Sequence, residues 1–246
     1  MNVFNTIMMI IFNLLFWTFI YKVSRYMSHG SERTFLKDWS TKKDSRMLSF
    51  YVVSTVHSLI MSTFPLYYLY HSGDYDLVKP FEHNQIMLVD LALSYFLWDL
   101  YYVYLHNDYM YLVHHTLGMI YMIVFKNFPL ANLFMVSIFL PEVTTPILNL
   151  WTLGKMKKYS YFDNINRFFT FFYIFVRVFM IITFNIYAFM ELYDSDHIPQ
   201  SVTLFLLAVT CFYCFGNIMW SRKLLRGYKK WSASKSEQSG STSRSD

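Results

Sequence analysis

Seven ionisable side chains stand inside stretches that are otherwise apolar: His57, Asp90, Asp99, His114, His115, Glu142 and Arg177. Of 21 Lys and Arg and 16 Asp and Glu, only Asp90, Asp99, Glu142 and Arg177 fall there. A charge at the centre of a bilayer costs roughly 2.5–3.5 kcal/mol even on the lenient insertion scale. Such groups therefore face a bundle interior or a wet cavity, where they can pair across helices, line a binding site or ligate a metal.

Spacing separates these options. Adjacent histidines on one helix diverge by about 100°, so one of His114 and His115 faces a small site while the other packs or orients it. Asp99 has Arg177 as an alternative, purely structural partner, and His57, followed by Ser58, has a hydrogen-bonded packing role as its own. A zinc site from His57, His114 and Glu142 needs three helices to converge. The chain has no His-Glu-x-x-His and no repeated histidine boxes, so no resident metal or cofactor is expected. Cys211 and Cys214 lie one helical turn apart in an apolar run, and read as packing residues, not as a redox pair.

The elements that position these groups follow from composition. Of 246 residues 55% are hydrophobic, 21% are aromatic and only 15% are charged. Soluble domains carry about a quarter charged residues, so the chain is an all-α polytopic membrane protein. The net charge of +5 points to anionic lipid and not to nucleic acid. Seven runs have about the length needed to cross the hydrocarbon: 3–21, 47–70, 86–105, 109–125, 130–150, 168–190 and 198–220. The first has no small-residue cleavage site and reads as a retained helix. The fourth and fifth, joined by 126–129, form a hairpin.

Loop charge orients the bundle. The segments 22–46, 154–167 and the tail after Trp220 carry seven, four and seven Lys and Arg. The intervening loops hold only Lys79 and Lys126, against Asp74, Asp76, Glu82, Glu191, Asp194 and Asp196. This alternation places the N-terminus outside or in the lumen and the C-terminus in the cytosol. Trp151 and Trp220 then fall at cytosolic helix ends as interfacial anchors. At 1.5 Å per residue, His57, Asp99, Glu142 and Arg177 lie about 9–15 Å from the cytosolic edge, and His114 and His115 about 8–9 Å. Asp90, two and a half turns from Asp99, points the other way near the lumenal end. Pro141 and Pro146 release the carbonyls of Ser137 and Glu142. Broken helix at membrane depth is tolerated where it lines a cavity, so Glu142 is expected on one.

Ser94-Tyr95-Phe96-Leu97-Trp98-Asp99-Leu100 followed by Leu112-Val113-His114-His115-Thr116 resembles the central motif of the TLC-domain family. That family includes ceramide synthases, translocating-chain-associating membrane proteins and an endoplasmic-reticulum protein linked to ceroid lipofuscinosis. Ser54-Thr55-Val56-His57-Ser58 and the run from Pro141 to Asn149 are similar to flanking motifs of the smaller TLC-domain-containing proteins. The resemblance implies a six-helix core around a central cavity, in the endoplasmic reticulum or a related endomembrane. By resemblance to the synthases, His114 or His115 is general base or acyl acceptor and Asp99 its orienter or second base, with acyl-CoA as candidate co-substrate. The smaller members imply instead a non-catalytic lipid-binding or trafficking role. The zinc-dependent lipid hydrolase is a third alternative.

The expected organisation is an N-terminal helix and basic loop over 1–46, a TLC domain over 47–230 and a disordered Ser-rich tail over 231–246. The expected site is catalytic His114, His115 and Asp99, with His57, Glu142, Arg177 and Asn149 lining the cavity. Membrane lipids, an anionic leaflet against the basic loop and tail, and a homodimer are the partners this allows.

Overall fold

The computed structural model describes residues 3–29, 38–39, 41–72, 76–105 and 109–242. Asp74, Arg33 and Lys37 of the loops read above, and residues 243–246 of the tail, lie outside the described residues. The described residues form helices and no strand. In chain order these are α1 (Val3–Ser28), α2 (Lys42–Ser72), α3 (His83–Leu105), α4 (Tyr109–Asn127), α5 (Ala131–Glu142), α6 (Thr145–Lys157), α7 (Phe162–Ile174), a π-helical segment (Phe175–Met180), α8 (Ile181–Tyr193) and α9 (Gln200–Thr242).

Six stretches among the described residues are long and apolar enough to cross a membrane: Thr6–Ser28, Lys42–His71, His83–Tyr104, Ala131–Lys157, Phe162–Tyr193 and Gln200–Ser234. This revises the expected seven. The odd one is α4, whose 19 residues have the length of a span but carry His114, His115 and three tyrosines, which lower its hydropathy. It nonetheless packs in the bundle, against α3 on one side and α9 on the other. The chain is a multi-pass membrane protein.

Lipid replaces water outside the bundle, so its outer surface can stay apolar. Phe168, Phe171, Phe175 and Phe179 accordingly form an exposed stripe along α7 and the π segment while Phe169, Tyr173 and Val176 face inward. The core is built from the facing sides of α1, α2, α3, α4 and α5, with α8 and α9 adding Leu192 and Leu206. α1 belongs to it: Trp17 is fully buried and donates from Nε1 to Ser94 Oγ at 3.3 Å. The α4–α5 hairpin closes through Phe128–Leu130, and the Leu130 N–H bonds the Phe128 carbonyl at 2.8 Å. Near it Lys126 of α4 pairs with the fully buried Asp90 of α3.

Two expectations are corrected, for the tail and for Cys211, and two tryptophans gain a further placement. Helix α9 continues through Thr242, where the Ser-rich composition predicts no structure. Once a helix is nucleated each further residue adds one hydrogen bond, and Trp231 Nε1 ties this extension to Asp163 Oδ1 at 2.9 Å. Trp151 and Trp220, expected as interfacial anchors, both line the central cavity. Trp151 does so because its Nε1 bonds Asn166 Oδ1 across the α6–α7 turn at 2.8 Å. Of the two free cysteines, Cys214 packs toward Asn185 but Cys211 is exposed on the outer face, one helical turn away.

Candidate functional site

The broken helix positions the site. Pro141 lies in the last turn of α5 and Pro146 in the first of α6, and the chain passes between them through Val143 and Thr144. Thr144, fully buried, donates its hydroxyl to the Pro141 carbonyl at 2.9 Å and accepts from Arg177 Nε at 2.9 Å. The break is thus locked to the Phe162–Tyr193 span at the point where that span widens into a π turn. π turns inside α-helices occur often at functional sites.

Around this point the bundle encloses a cavity of about 1490 Å³. Pockets for ordinary small ligands run roughly 300–1,000 Å³, so the space admits a long molecule. One end is lined by Arg25, Lys42, Lys43 and Arg46 together with Tyr21 and Tyr102. The middle is lined by His57, Asp99, His114, His115, Glu142 and Arg177, and the far end by Tyr121, Phe125, Phe134 and Phe184. Asn149 also lines it, donating to Thr55 Oγ1 at 2.9 Å and Ser54 Oγ at 3.2 Å and so tying α6 to α2.

Two carboxylate–histidine pairs stand in the middle layer. His115 Nδ1 lies 2.9 Å from Asp99 Oδ2, both side chains buried between α3 and α4. This answers the pairing left open by the sequence: Asp99 meets a histidine and not Arg177. His57 Nδ1 lies 3.8 Å from Glu142 Oε2. Its ring is held on three sides, flat against Tyr95 and edge-on to Trp17 and Phe96. His57 Nε2, Asp99 Oδ1 and His115 Nδ1 are all buried with no hydrogen-bond partner among the described residues, so the His115–Asp99 approach is a close ion-pair contact and not an aligned hydrogen bond. Buried polar atoms are normally satisfied, so these three mark the layer where a shift of the rings would expose unmet hydrogen-bonding capacity.

The divergence of the adjacent histidines is also visible. While His115 meets Asp99, His114 turns to α9, edge-on to Tyr213 with ring centroids 4.9 Å apart, and the Tyr213 hydroxyl donates to the His114 carbonyl at 2.8 Å. His57, His114 and Glu142 do not assemble as a zinc set; no group of three His, Cys, Asp or Glu that could hold a metal occurs among the described residues.

Sequence reasoning missed several residues of the site. Trp17 and Tyr21, buried in the core, and Arg25, on the cavity wall, come from α1, whose nearly uniform apolarity gives no face preference. Tyr95 is the stacking partner of His57. It stands four residues before Asp99 on α3, one helical turn away and on the same face, and that spacing was the available signal.

A family model described as the TLC domain matches residues 48–226. No curated protein matches the chain. The matched segment begins inside α2, so α1 lies outside it although Trp17 packs against His57.

Proposed function

The chain belongs to the TLC-domain family, whose domain marks a membrane-lipid-related protein, and we propose that it transfers a long acyl chain to an amine within its central cavity. The observation that carries this reading is the 2.9 Å approach of His115 to Asp99 on the wall of a cavity large enough for a long chain. The Asp99 carboxylate stands within ion-pair distance of His115 Nδ1, and a small rotation of the ring into hydrogen-bond alignment would orient the imidazole and leave Nε2 to act as general base.

In this reading an acyl thioester such as acyl-CoA enters from the basic end, its phosphates near Arg25, Lys42, Lys43 and Arg46, its chain toward Phe125 and Phe134. The amine nitrogen attacks the thioester carbonyl and gives a proton to His115 Nε2. The C–N bond forms, the C–S bond breaks, and the thiolate leaves with that proton. The basic end then faces the cytosolic leaflet, in the endoplasmic reticulum or a related endomembrane.

The test is N-acyl product formation by purified protein given long-chain acyl-CoA and a sphingoid base. Asp99→Asn and His115→Ala should each lower the rate by roughly 10²–10⁴. Unchanged turnover in both variants sinks the catalytic assignment. Co-purified lipid with no turnover and no acyl adduct in the intact mass favours the carrier or adaptor reading of the same cavity.

A further inference from the structure

Acyl transfer at His115 gives Arg177 no chemical task beyond its bond to Thr144. Each intramembrane carboxylate of the middle layer has a histidine within ion-pair distance, His115 for Asp99 and His57 for Glu142, and neither contact by itself requires a charged ring. Arg177, only 8% exposed, has no carboxylate within ion-pair distance among the described residues. Glu142 is near enough to feel its field but makes no contact pair with it. The Arg177 Nε–H is engaged by Thr144, and the guanidinium lies 5.6 Å from the Tyr173 ring centre. Neither contact supplies a carboxylate, and Glu142 offsets the charge only from beyond contact distance, so the remaining guanidinium donors stay open to an anion.

The surroundings hold that cation toward the cavity. The π segment Phe175–Met180 turns Phe175 and Phe179 to the outside and Arg177 inward. Thr144 gives its only proton to the Pro141 carbonyl, so its oxygen can only accept from Arg177. With Nε held, the paired Nη edge is the part left for a ligand. That planar edge matches the two oxygens of a carboxylate.

We infer that Arg177 is the seat of a long-chain carboxylate: the cavity takes a fatty-acid anion, its carboxylate on the Nη edge and its chain running toward Phe125 and Phe134. One guanidinium balances one carboxylate charge, whereas a more highly charged phosphate headgroup suits the four-cation end. The inference rests on the lipid-cavity reading only in needing a cavity that admits a long chain.

The experiment titrates the full chain in nanodiscs with palmitate and with hexadecanol, which share a chain and differ in the head. The wild type should bind palmitate roughly tenfold to hundredfold more tightly than the alcohol. Arg177→Gln should abolish that preference while leaving hexadecanol affinity unchanged, a result that mere loss of structure cannot give. Arg177→Lys should keep part of it, since charge remains but the fork is lost. Lys42→Gln with Lys43→Gln should leave it intact. Equal wild-type affinity for acid and alcohol overturns the inference, and so does a preference that follows Lys42 and Lys43 or that survives Arg177→Gln. If Arg177→Gln does not fold, the wild-type ratio and the Lys variant decide. Tight hexadecanol binding without acid preference removes the carboxylate seat but keeps the lipid cavity; failure of both ligands to bind removes both.

Discussion

The rings of Tyr95 and His57 lie face to face, their centroids 3.6 Å and their planes 12° apart. The stack joins α3 to α2 and aims His57 Nδ1 at Glu142 on α5. Aromatic pairs contribute about 0.5–1.5 kcal/mol beyond the area they bury, and truncating a buried aromatic costs about 3–5 kcal/mol. Tyr95→Ala should therefore lower the thermal midpoint of the detergent-solubilised protein sharply, while Tyr95→Phe, which keeps the ring, should stay close to the wild type. An Ala variant that melts with the wild type contradicts a packing role for the stack.

Trp17 makes the same argument for the helix outside the matched domain. Fully buried, it touches both His57 and Tyr95 edge-on and donates to Ser94. If α1 were only a membrane anchor, Trp17→Ala would be silent. The structure instead predicts a loss of about 3–5 kcal/mol, with Trp17→Phe nearer ~1 kcal/mol from the lost hydrogen bond. Thermal unfolding of the two variants separates the cases.

Much of this site is legible in the sequence because burying charge in a bilayer is costly. The depth of His57, Asp99, His115, Glu142 and Arg177 along their spans places them in one layer, and the structure brings all five to one cavity. The two prolines mark the break that the backbone makes at Val143–Thr144. What depth does not specify is rotation. Whether Asp99 meets Arg177 or His115 depends on the angle of each helix about its own axis, and helices apolar all round carry little of that information. The π turn is likewise one extra residue of winding with no residue signature, and Trp17 reaches the site from a helix with no polar face to orient it.

At Gly118, α4 packs against side chains of both α3 and α9. A Cβ there would stand 2.8 Å from Phe96 Cε1 and 3.2 Å from the Tyr213 hydroxyl. Overpacking of this kind costs about 1–3 kcal/mol. Because the Phe96 ring is also 4.9 Å from that of His115, its displacement should disturb the His115–Asp99 pair as well as the packing. Gly118→Ala should lower both the thermal midpoint and N-acyl product formation, and adding Phe96→Leu should recover the midpoint. A Gly118→Ala protein that matches the wild type in both measurements shows that Phe96 yields without consequence.

The pair of Asp90 and Lys126 lies away from the middle layer, between α3 and the end of α4, with Asp90 wholly buried. Removing one member of a buried pair leaves an uncompensated charge and typically costs about 3–5 kcal/mol, whereas replacing both with apolar groups of similar size is often neutral. Lys126→Met alone should therefore destabilise the protein, and Asp90→Leu with Lys126→Met should restore much of the loss. The pair lines no part of the cavity, so the double variant should retain the wild-type affinity for hexadecanol. A double variant less stable than Lys126→Met alone indicates that Asp90 serves its neighbours in α3 and not Lys126.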